Sequence, residues 1–62
     1  MRISKSMSIG EIREAFRVCG YPLGRGWEIV LYMLFNQHNA EEADLVGYGH
    51  NLEIHFITKE EK

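Results

Sequence analysis

The sequence holds one cysteine, one proline, one tryptophan and no apolar run longer than Ile29–Phe35. Each scarcity excludes something. The lone Cys19 rules out an internal disulfide, and no CxxC, HExxH or Cys/His cluster has the spacing of a tetrahedral metal site. Ile29–Phe35 is far short of the ~20 residues that span a membrane as a helix. No N-terminal stretch combines the basic, apolar and small-residue blocks of a signal peptide. A reducing cytoplasm is therefore the expected setting. There is no repeat, low-complexity tract or linker, so residues 1–62 read as one domain, with no cofactor or metal expected.

What is present is ordinary in amount and uneven in placement. The chain is 45% hydrophobic and 26% charged, in the range of globular proteins. Its net charge is −2. Residues 1–26 carry Arg2, Lys5, Arg13, Arg17 and Arg25 against Glu11 and Glu14, a balance of +3. Residues 27–62 carry Lys59 and Lys62 against seven carboxylates, a balance of −5. A domain of 62 residues buries only about 60% of the surface its unfolded chain exposes. Small scaffolds of this kind are held by disulfides, a metal or association. With the first two excluded, association is what remains.

The clearest local signal is "MSIGEI", residues 7–12. Ser8 and Glu11 make a capping box, and Met7 and Ile12 stand at the positions of a hydrophobic staple. Ile9, Ile12, Ala15, Phe16 and Cys19 then recur at helical spacing. Gly20 suits the left-handed position that ends a helix, and Pro22 blocks continuation. A helix is expected over 9–19. Before it, "RIS" reads as a short strand; the alternative is that Met7 is a second start and "MRISKS" an extension.

The stretch "GYPLGRGW", residues 20–27, invites comparison with phosphate-binding loops. It fails both fingerprints. A Walker loop continues Gly-Lys-Ser/Thr where Trp27-Glu28 stands here, and a dinucleotide loop follows a strand where a helix stands here. The stretch reads as a turn, with Gly26 capping the next helix.

That helix is expected over 27–38, "WEIVLYMLFNQH". Trp27, Val30, Leu31, Leu34 and His38 fall on one face, assigned to the core. Ile29, Tyr32 and Met33 fall on the other. A helix apolar nearly all round must be covered nearly all round, and one other helix and a small sheet cannot do that. Trp27, Ile29, Tyr32, Met33 and Phe35 are accordingly the candidate protein interface, being types enriched in such surfaces.

Residues 43–58 read as a β-hairpin. "GHN" is its three-residue loop, Asn51 its left-handed residue, and Val46 and Tyr48 share a face with Leu52, Ile54 and Phe56. "NAEE" offers a short helix capped by Asn39 as an alternative, and Glu41, Glu42 and Asp44 are placed on a loop. The "KEEK" end reads as solvated. The whole is α+β: two helices followed by a hairpin, preceded by the short strand, in the order β-α-α-β-β, with a small sheet packed on the helices.

Little here supports catalysis. Cys19 lies on an apolar stripe, where a thiol acts as a small hydrophobe. His38, His50 and His55 lack the i, i+4 spacing of a helical metal pair, and His55 beside Glu53 reads as an exposed polar pair. A non-catalytic interaction module is expected, a regulator or inhibitor acting by surface binding. Its partners are itself, as a homodimer or higher, and another protein, with the acidic 41–61 region suited to a basic surface. The alternative is a nucleic-acid-binding regulator with a helix-turn-helix-like pair, using Arg13, Arg17 and Arg25 as anion contacts. A pI near 5.8 and a second helix without a basic residue weigh against it. No membrane partner is expected.

Overall fold

The chain enters its first helix through Ser8. The Ser8 hydroxyl oxygen accepts from the Glu11 backbone N–H at 3.2 Å, and the Glu11 carboxylate accepts from the Ser8 N–H at 3.1 Å. In the computed structural model, which describes residues 1–58, this capping box opens α1 (Ile9–Val18). The other elements are β1 (Arg2–Ser4), α2 (Trp27–Gln37), β2 (Ala40–Val46), a 3-10 turn at Gly49–Asn51, and β3 (Glu53–Thr58). The order β-α-α-β-β is the one the sequence predicts, and "RIS" is a strand. The "KEEK" end lies outside the described residues.

Both helix ends are closed by backbone chemistry. At the end of α1, Gly20 donates to the Arg17 carbonyl at 2.9 Å and Tyr21 to the Phe16 carbonyl at 3.0 Å. These are the two bonds of a Schellman motif, and they require the left-handed φ of 72° that Gly20 adopts. Added space is not available there either: a Cβ on Gly20 would come within 2.4 Å of the Tyr48 ring. At the end of α2, Asn39 takes the left-handed position, with φ 51°. It closes that helix and does not cap a new one, so the helical alternative for "NAEE" is replaced by β2.

The three strands form one antiparallel sheet in the order β1-β2-β3. Ile3 pairs with Ala43, and Leu45 with Ile54. One face of the sheet carries Ile3, Ala43 and Leu45 against Ile12, Ala15, Phe16 and Cys19 of the first helix and its cap, and Leu31 and Phe35 of α2. The opposite face carries Arg2, Glu42, Asp44, Glu53 and His55. Arg2 donates to Asp44 and to Glu42, each at 2.7 Å, and His55 lies 2.8 Å from Glu53.

Several expectations about the hairpin need correction. Glu41, Glu42 and Asp44 are on β2 rather than on a loop. The left-handed residues of the connection are Gly47 and Gly49, not Asn51. Val46 is paired with Glu53 on the outer face, and Tyr48 is off the sheet. The cause is parity. The connection from Gly47 to Leu52 is longer than a three-residue loop, so the pairing moves by one residue and every side chain of β2 changes face. Ala43 and Leu45 therefore reach the core in place of Val46 and Tyr48.

Candidate protein-interaction surface

α2 is apolar in sequence on almost every side, and only packing against the sheet decides which side is inside. Leu31 and Phe35 are inside. Phe35 is fully buried and meets Phe56 edge-on, with ring centroids 5.2 Å apart. It was expected at the interface and belongs to the core instead. Val30, assigned by its spacing to the core face, is exposed, and so is His38, whose ring stacks on Phe56. Trp27 and Tyr32 are half-buried at the two flanks of the core contact.

The outward side of α2 holds Ile29, Val30 and Met33, exposed at 67%, 57% and 63%. Two of these, Ile29 and Met33, are where the sequence reading placed them. The stripe does not end at the helix. Val30 and Leu34 form one wall of a groove of about 330 Å³, whose floor and far side include Leu31, Trp27 and, from β3, Ile54. Sequence reasoning missed Val30, Leu34 and Ile54 as surface residues. A residue pattern of i, i+3, i+4, i+7 marks a helix face but not which face meets the sheet.

The candidate anion contacts line two adjoining grooves that share Tyr21, Pro22, Leu23 and Trp27. Arg13 and Arg17 line a second groove of about 230 Å³ with Tyr21, Pro22 and Trp27, whereas Arg25 lines the first. Arg17 is bound by Glu14 one turn back. That bond holds the Glu14 carboxyl below its ordinary value and raises the Arg17 guanidinium. On the outer face of the sheet, the hydrogen bond from Arg2 likewise holds Asp44 below the usual carboxylate range.

Groups with nucleophilic or ligating potential are dispersed. Cys19 is buried in the core. His55 is on the opposite face of the sheet, and His50 is exposed in the 3-10 turn. Among the described residues no three His, Cys, Asp or Glu side chains are grouped to hold a metal ion, and no helix is long and apolar enough to cross a membrane. No family of known proteins, no curated protein and no solved structure matches this chain.

Proposed function

We propose that the chain is a non-catalytic protein–protein interaction module that self-associates and acts as a regulator or inhibitor by covering a partner's surface. The observation that carries this reading is the stripe Ile29–Val30–Met33, apolar and more than half exposed, running without a polar break into the groove beside Leu34 and Ile54. The largest contiguous apolar patch on a protein surface is often functional. A two-fold homodimer is the commonest way for a small chain to cover it. The groove is lined by apolar side chains with Arg25 as its one charge, a lining that suits packing better than acid–base chemistry. The nucleic-acid alternative has less support, because Glu14 occupies Arg17 and the second helix carries no lysine or arginine.

The test is Met33→Glu. Met33 is 63% exposed, so the monomer fold tolerates the charge and the helical circular dichroism is retained. By light scattering, the wild type is a dimer and the variant a monomer. A wild type that stays monomeric at high micromolar concentration, or a variant that associates unchanged, overturns the reading.

A further inference from the structure

The sheet has two edges, and they are built differently. β1 is three residues long and its core-facing Ile3 is fully buried. β3 is six residues long, contains no proline or lysine, and has no strand beyond it among the described residues. The one irregularity in its pairing, between Ala40 and Glu42, lies on the β2 side. Native proteins usually blunt exposed edges with bulges, prolines, lysines or short strands. β3 has no bulge, proline or lysine, and its single carboxylate, Glu53, stands at the start of the strand.

The hydrogen-bond pattern shows what this edge offers. Leu45 donates to the Met1 carbonyl and Lys5 donates to the Glu41 carbonyl, both at 2.7 Å. Residues 41, 43 and 45 of β2 therefore turn their backbone groups toward β1. In an antiparallel ladder these directions alternate, so residues 42, 44 and 46 turn theirs toward β3. Their partners there are Ile57, His55 and Glu53. Ile54 and Phe56 are left with N–H and C=O pointing outward. The same two residues carry the apolar side chains on the core face of β3. Those side chains are only half-buried, whereas Ile3, Ala43 and Leu45 in the other two strands are buried. The core thus runs out at the strand whose edge is open, and the groove between Ile54 and Val30 and Leu34 lies alongside it.

We propose that β3 pairs antiparallel with β3 of a second copy about a two-fold axis at His55, joining two three-stranded sheets into one. This rests on the reading of the chain as a self-associating module, and adds the strand and its register. The segment is self-complementary in that register. Ile54 stands opposite Phe56 of the second copy in both halves, each pair exchanging its outward N–H and C=O. The apolar side chains of all four residues fall on the core face, next to the groove. On the outer face the two His55 rings meet at the axis, each accompanied by its own Glu53 at 2.8 Å. Each ring therefore brings its own hydrogen-bond partner to the axis. A register centred one residue later would place Ile54 opposite Thr58, where the ladder is already irregular.

Two variants test this alongside Met33→Glu. A chain of this length is accessible to chemical synthesis, so Ile54 can be N-methylated. That removes an outward N–H, puts a methyl in the path of a pairing strand, and leaves the β2 ladder intact. The expected result is a shift from twice the chain mass to the chain mass with unchanged circular dichroism. His55→Cys places two thiols in a non-hydrogen-bonded pair whose Cα atoms are about 4.5 Å apart, inside the range a disulfide bridges. Mild oxidation should link the chains through residue 55. A dimer that N-methylation leaves intact and Met33→Glu dissolves overturns the strand pairing but not the reading beneath it. A dimer that Met33→Glu leaves intact overturns that reading, whatever N-methylation does. A wild-type monomer overturns both, and a dimer that fails to cross-link at residue 55 overturns the register proposed.

Discussion

Gly20 and Tyr48 give a quantitative test of how the β2–β3 connection is tied to α1. Gly20 needs its left-handed φ of 72°, and an alanine there costs about 1–2 kcal/mol in backbone strain alone. Its Cβ would also meet the Tyr48 ring at 2.4 Å. Tyr48 is 68% exposed, so the ring can swing away, at the cost of the contact it makes now. About a third of an aromatic surface of ~200 Å² is covered, roughly 60 Å². At ~25 cal/mol per Å², losing it costs about 1.5 kcal/mol. Gly20→Ala should therefore destabilise the wild type by about 2.5–3.5 kcal/mol, but only by about 1–2 kcal/mol in a Tyr48→Ala background. The cycle Gly20→Ala, Tyr48→Ala and the double variant isolates a coupling of about 1.5 kcal/mol. Urea denaturation at one fixed protein concentration measures it. Equal costs in the two backgrounds would refute the ring contact, and a cost below about 0.5 kcal/mol in both would refute the left-handed cap.

Two further predictions concern the core and the charged face. Phe35→Ala should leave the chain largely unfolded by circular dichroism. Truncating a buried phenylalanine costs about 3–5 kcal/mol, against a total of roughly 3–9 kcal/mol for a domain of this length; a variant that folds normally and merely fails to associate would return Phe35 to the interface. Arg2→Gln should raise the Asp44 pKa toward its ordinary value in a carboxyl NMR titration. Because that pKa is lowered in the folded state, its contribution is present above the unfolded value and lost as pH falls through the folded one. The variant should accordingly show a weaker loss of stability on acidification, and an unmoved Asp44 titration would show that Arg2 is not the cause.

Local chemistry was readable from the residues, and facing was not. Ser8 and Glu11 announce a helix start because each satisfies the other's backbone donor within four residues. Gly20 announces its end for the same kind of reason. The His55–Glu53 pair follows from alternation along one strand. α2 is a different case. With Ile, Val, Leu, Met and Phe on every side, its sequence holds no contrast to say which side meets the sheet, so Phe35 and Val30 exchange roles relative to the expectation. β2 was harder still. "AEEAD" has low strand propensity, and it is extended because β1, far away in sequence, pairs with it and Arg2 bridges two of its three carboxylates, Glu42 and Asp44. The length of the Gly47–Leu52 connection then set the parity of the hairpin, which no single residue announces.

The pairing of β1 with β2 also orders events in time. Arg2 and Asp44 are 42 residues apart, whereas Val46 and Glu53, opposite each other in the hairpin, are separated by seven. Closing the longer loop costs roughly 1.6 kcal/mol more in chain entropy. During synthesis β1 leaves the ribosome before β2, and it must wait for residue 44 before it has a partner. Through that interval Ile3 and the whole of α2 are without the sheet that covers them. The hairpin, local and made later, is the template on which β1 finally settles.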